Sequence, residues 1–211
     1  TPVREVRVRR RFLKEGPLKS EETEPEHPTD RPSGFTFVEI LILCAVIGLG
    51  AAMAVPYIRE TVDFYDAEAA LQLTAAQLRR GSQRAVDLRR RTRVSFIAPN
   101  RIDVHQFEEG AWIQVNSTLL PRGFEFRVEE GLPVAPDETP DGLGASAAVD
   151  FAGAQEIYYL PDSTAVNASG QITSGIVYMA RPGKVLTARA VTVSGTTARI
   201  RMWRFLEGNW Q

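Results

Sequence analysis

The chain changes hydrophobic period twice. Residues 35–55 are almost uninterruptedly apolar and carry one charge, Glu39. As a helix rising about 1.5 Å per residue, that run reaches roughly 30 Å, the thickness of a bilayer core. A carboxylate inside such a segment costs on the order of 2.5–3.5 kcal/mol on insertion scales. A plain signal anchor with a stray Glu would gain nothing from it. Glu39 therefore calls for a positive group in the working state, and a cation from another chain is the natural candidate. Further on, the pattern becomes amphipathic. Phe64, Leu71, Leu78 and Ala85 recur every seven residues, with Ala67, Ala75 and Leu88 on the same face. Asp63, Asp66, Glu68, Gln72 and Arg79 fall largely opposite. The pattern predicts one helix from about 36 to about 88, softened at Gly48, Gly50 and Pro56.

From Thr92 the period is two. Val94, Phe96 and Ala98 alternate with Arg93, Ser95 and Ile97, and Pro99-Asn100 marks a turn. Ile102, Val104 and Gln106 follow, a hairpin that residues 112–115 continue. Further strands are expected around Phe124, Phe126 and Val128, over 156–160, over 175–179, and in a closing pair, 185–193 and 196–205, that turns at Ser194-Gly195. Residues 129–150 hold many Pro, Gly and acidic residues, a loop long enough to be functional. The expected fold class is α+β: a long N-terminal helix, transmembrane in its first half, packed on an antiparallel β-sheet. The expected divisions are a leader over 1–34, a transmembrane and assembly helix over 35–58, an amphipathic helix over 59–91 and a β domain over 92–211.

Charge adds little to this picture. The formal net charge is −1, and beyond residue 34 the chain holds 17 basic and 19 acidic residues. That balance gives no global case for nucleic acid. The lone cysteine, Cys44, lies in the apolar run, so no intrachain disulfide forms and a packed core must hold the domain. Residues 1–34 are charged, rich in Pro and without apolar period, so they cannot build a core. Arg7, Arg9, Arg10, Arg11, Lys14 and Arg31 would keep that side of the apolar run cytoplasmic.

The segment Gly34-Phe35-Thr36-Phe37-Val38-Glu39 and its apolar continuation resemble the class III signal peptide of type IV pilins and type II secretion pseudopilins. The 1–34 leader is longer than in many of these precursors. Tyr159-Leu160-Pro161-Asp162, Gly175-Ile176-Val177 and residues 192–201 resemble signatures of the GspH/FimT/FimU-type minor pilins, as does Arg84-Ala85. Ser163 and Ala198 stand where glycines are usual. The resemblance implies cleavage by prepilin peptidase between Gly34 and Phe35, with N-methylation of Phe35. It implies that Glu39 pairs with the N-terminal amine of a neighbouring subunit, and that Pro56 bends the helix. The implied partners are major and other minor pilins or pseudopilins, the peptidase, an inner-membrane assembly platform, and membrane lipid before assembly. The implied location is the inner membrane, single-pass, with the N-terminus cytoplasmic and the soluble domain periplasmic, then the pilus or pseudopilus. The expected function is a structural subunit of a tip or priming complex that starts type IV pilus assembly. The alternatives are a type II secretion pseudopilin and a DNA-binding competence pilin.

No catalytic set, cofactor site or metal site is read. His27 lies in the leader and His105 stands alone, expected on a sheet surface. Asp137, Glu138, Asp141 and Asp150 lack the spacing of a calcium loop and read as a solvated segment. The arginines are denser than a helix end needs: Arg79, Arg80, Arg84, Arg89, Arg90, Arg91 and Arg93 crowd fifteen residues. Arg199, Arg201 and Arg204 are expected to alternate along one strand face near Trp203. Three readings stay open for them: subunit contact, a solvated face, or DNA. Trp112 and Trp203 are expected in the core, and Trp210 at a contact with a partner.

Overall fold

The computed structural model describes residues 34–134 and 138–211, without the side chains of residues 54–60. Residues 1–33 of the expected 1–34 leader lie outside the described residues, as does Asp137. The chain divides into two compact units, one ending at Ile47 and one spanning Gly48–Gln211. Helix α1, Phe37–Leu88, belongs to both.

In the first unit every described residue is exposed, including Phe35, Phe37, Ile40, Leu41 and Ile47. Thr36 caps the helix: its Oγ1 accepts the Glu39 N–H at 3.3 Å, and its carbonyl accepts the Ile40 N–H at 3.2 Å. Among the described residues no helix is long and apolar enough to cross a membrane.

In the second unit α1 closes a core against two antiparallel sheets. The first has the strand order β3-β2-β1-β5-β6 and the second β10-β9-β8-β7-β4. The strands are β1 Thr92–Ile97, β2 Arg101–Glu108, β3 Ala111–Leu119, β4 Val149–Asp150, β5 Glu156–Tyr159, β6 Ala165–Val166, β7 Gly175–Arg181, β8 Lys184–Val193, β9 Ile200–Leu206 and β10 Asn209–Trp210. One core cluster unites Ala67, Leu71, Leu78 and Ala85 of α1, Val94, Ile102 and Tyr159 of the first sheet, and Val177, Met179 and Val191 of the second. The α+β class is as expected. The single expected sheet is two, because the chain leaves the first sheet after β3, gives β4 to the second, returns for β5 and β6, and then completes the second with β7 to β10.

Helix α1 ends with paired bonds from Arg89 N–H to the Val86 carbonyl and from Arg90 N–H to the Ala85 carbonyl. Arg89 takes the left-handed position, φ 51°, that glycine more often fills. The clustered arginines at 89–91 therefore follow the helix, and its last turn holds no basic residue.

Three expectations change. Phe124, Phe126 and Val128 form no strand; Glu125 makes an isolated bridge to Ala180, and Phe124 packs into the core. The closing hairpin does not turn at Ser194-Gly195 alone, because residues 194–199 form the connection and the next strand starts at Ile200. Ala198 holds φ 48° there and Ser163 holds φ 65°, so both positions that depart from glycine are left-handed. A C-terminal hairpin, β9–β10, was not anticipated. Its turn, Glu207-Gly208, has both residues at positive φ and repeats the Glu109-Gly110 turn between β2 and β3.

Gly81 sets how closely α1 approaches the first sheet. A β-carbon there would fall 2.6 Å from Val94 Cγ2 and 3.4 Å from the Tyr159 ring. Glycine to alanine in a helix interior ordinarily stabilises by about 0.8–1 kcal/mol. Here the sign should reverse, because Val94 is branched and buried and cannot swing away. Gly81→Ala is expected to cost about 1–3 kcal/mol in urea unfolding, in the range of core overpacking. An unchanged or raised midpoint would contradict this packing.

Candidate assembly surface and its ion pairs

The expected processing and assembly residues occupy the exposed opening of α1. Gly34 precedes the helix, and Phe35 is 72% exposed. Glu39 sits in the first turn, where the positive end of the helix dipole favours a carboxylate. Its backbone N–H meets the Thr36 cap, but its carboxylate has no cationic partner among the described residues. Pro56 falls within α1, but its side chain lies outside the described residues, as does any bend it makes.

Of the polar side of α1, Asp63, Asp66 and Glu68 form the seam with the second sheet, whereas Gln72 and Arg79 are exposed. Asp63, expected on the polar face, is only 7% exposed and is bonded by both Arg181 and Lys184 from the β7–β8 hairpin. Arg181 also reaches Asp66 at 3.2 Å and the Arg122 carbonyl at 2.9 Å. Glu68 takes a two-pronged contact from Arg204 of β9, Nε at 2.8 Å and Nη2 at 2.6 Å. Arg189, fully buried beside Arg204 on β8, donates to the Leu186 and Ala188 carbonyls and lies 5.3 Å from the Phe64 ring. Phe64 and Leu88, expected in the core, are 45% and 46% exposed.

Arg199, Arg201 and Arg204 do not form one cationic face. Arg201 and Arg204 have opposite parity on β9, so they point to opposite sides of the sheet. Arg204 turns to α1 and Glu68. Arg201 bonds Asp141, whose carboxylate also accepts the Thr192 hydroxyl; Trp203 Nε1 donates to that hydroxyl at 3.0 Å. Arg199 precedes the strand and is exposed. Of the seven arginines near the end of α1, Arg84 bonds Gln106 at 2.7 Å, Arg90 bonds Glu108, and Arg93 reaches Glu156 at 3.6 Å while lying 5.0 Å from the Trp112 ring. Arg79, Arg80, Arg89 and Arg91 are exposed.

The acidic loop is also built rather than merely solvated. Asp150 accepts the Ser146 N–H, the Ser146 hydroxyl and the Gly153 N–H at 2.8–2.9 Å. Burial pushes its carboxyl up, but these bonds outweigh that and leave it below the ordinary range. Among the described residues no group of His, Cys, Asp and Glu could hold a metal. His105 is half-buried on β2 opposite Arg93, and burial followed by the Arg93 charge pushes its imidazole down. Trp112 and Trp203 are half-buried rather than core. Trp210 is no free end: β10 lays it against Tyr178 and Phe205, ring centroids 5.6 and 5.3 Å apart.

Sequence reasoning missed the Asp63 and Glu68 pairs. Their partners stand more than a hundred residues away, and only the run of acids on one side of α1 hinted at them.

No protein-family model matches the chain, and no curated protein matches it. Among solved structures, the chain is similar to the type IV minor pilin FimU of Pseudomonas aeruginosa. That match has 12% identity and a TM-score of 0.46, over 65% of this chain and 88% of that one. It is also similar to the minor pseudopilin EpsH from the type 2 secretion system of Vibrio cholerae. That match has 13% identity and a TM-score of 0.45, over 66% of this chain and 97% of that one.

The Glu68–Arg204 contact has a pH signature. Bonds from Arg204 hold the Glu68 carboxyl below its ordinary 4.5, against the opposing effect of burial. The unfolded chain then binds the proton more readily than the folded one. The stabilisation is full above pH 4.5 and is lost as pH falls through the lower folded value. Glu68→Gln is expected to cost about 1.5–3 kcal/mol at pH 7, the range for hydrogen bonds to charged groups. The gap to the parent should close on acidification below pH 4.5 in equilibrium unfolding. A gap independent of pH would remove the ion pair as its cause.

Proposed function

We propose that the chain is a minor pilin or pseudopilin, a structural subunit of a tip or priming complex from which a type IV pilus grows, and not an enzyme. One observation carries this reading. The segment from Gly34 to Glu39 opens a capped helix that exposes apolar side chains all round, and its one carboxylate lacks a cationic partner among the described residues. Cleavage after Gly34 would create an ammonium group at Phe35. The amine of a neighbouring subunit would then supply the charge that Glu39 lacks.

In this reading the precursor inserts with residues 1–34 on the cytoplasmic side, and prepilin peptidase frees Phe35, which becomes methylated. The helices of several subunits pack side by side, first in lipid and then in the filament. The β domain over 92–211 stays outside the membrane and presents its surface to other pilins or pseudopilins. Its own ion pairs consume Arg204 and engage Arg201, which weakens the case for a continuous DNA-binding stripe.

Producing the full chain with an active prepilin peptidase and weighing the product tests the foundation. The expected product starts at Phe35 and carries one methyl group. A chain that keeps residues 1–34 while a control precursor is trimmed would overturn the reading.

A further inference from the structure

We propose that the cleft between the 140–142 turn and the 194–199 connection is a carboxylate-recognition site that receives an acidic side chain of a neighbouring subunit. The choice of occupant rests on the assembly reading above. The cleft has a volume of about 300 Å³, and its polar lining is Asp141, Ser174, Ser194, Thr197, Arg199 and Arg201.

The cleft already handles one carboxylate. Asp141 lies between the Arg201 guanidinium and the Thr192 hydroxyl, and it holds a left-handed backbone, φ 58° and ψ 15°, in that position. Arg199 stands beside this arrangement, exposed, with no ion pair or side-chain hydrogen bond among the described residues. Its planar fork matches a carboxylate in two-pronged geometry. Two hydroxyls are prepared to join it. Ser174 Oγ accepts the Gly195 N–H at 3.0 Å, and Thr197 Oγ1 accepts the Arg199 N–H at 3.4 Å. Each therefore keeps its own hydrogen to donate.

The walls are fixed in place. A β-carbon on Gly195 would fall 2.8 Å from the Thr173 carbonyl carbon, so the 194–199 connection lies directly on residue 173. Ser194 N–H closes the connection onto the Arg199 carbonyl at 2.9 Å. Two guanidinium groups and one carboxylate leave the cleft one net positive charge, which complements a single carboxylate. A run of phosphates would meet the Asp141 charge as well as the arginines, and like charges brought together this way select against a partner.

The test uses the full chain in its native host. R199K places an amine in the cleft, and carbodiimide treatment of intact cells joins an amine to a carboxylate in direct contact. Mass spectrometry should find an amide between position 199 and an Asp or Glu of another subunit, absent from the R199Q chain. R199E should lower the complex recovered by about ten-fold, the order set by one charge-assisted hydrogen bond. Lysine at the identified partner acid should restore it. Three results would each overturn the proposal: an amide only to Asp141 of the same chain, unchanged recovery with R199E, or DNA binding by the parent that R199Q abolishes while the complex is intact. Trimming to Phe35 is scored in the same cells. Normal trimming with normal R199E recovery sinks the cleft alone, whereas absent trimming sinks the assembly reading beneath it.

Discussion

The second unit is organised by one requirement: helix α1 has to be sealed on two sides at once. Its small apolar face, Ala67, Ala70, Leu71, Ala75, Leu78 and Ala85, closes the core. Alongside it, Asp63, Asp66 and Glu68 face cations of the second sheet. A carboxylate as buried as Asp63 is costly unless it is paired and bonded, and Arg181 with Lys184 does both. These pairs add registry to the packing. An alanine-rich face slides easily, whereas a helix shifted by one turn would leave Asp63 buried and Glu68 half-buried without partners.

Much of this was legible in the sequence, and the failures have physical reasons. Leu71, Leu78 and Ala85 declared the core face, and the alternation at Val94, Phe96, Ile102 and Val104 declared the first hairpin. Phe64 was misplaced because a seven-residue count drifts about 20° per repeat from a straight helix. Over three repeats that end of the stripe rotates out and Asp63 rotates in, whereas Ala85 stays buried and Leu88 is the last residue of α1. The second sheet was legible as strands but not as a separate sheet, since pairing between distant strands leaves no local trace.

The arginines show the same limit at the candidate site. Arg199, Arg201 and Arg204 read as one basic stripe, yet strand parity sends Arg204 to Glu68 and leaves Arg201 beside Asp141. The acids that claim them lie in α1 and in the 129–150 loop, beyond the reach of any local pattern. Trp210 was misjudged for a related reason: its Glu207-Gly208 turn was overlooked, although the same dipeptide turns β2 into β3.

The opening of α1 differs from all of this. There the sequence and the structure agree on an apolar helix with one carboxylate, and among the described residues no cation pairs with it. The account hangs on that charge finding its partner in another chain. The most direct measurement is the amount of chain recovered in the sheared, assembled fraction of native-host cells, compared between parent and Glu39→Ala at equal membrane levels. The account predicts that the variant is trimmed normally, stays in the membrane and is lost from the assembled fraction. Equal recovery of parent and variant would contradict it.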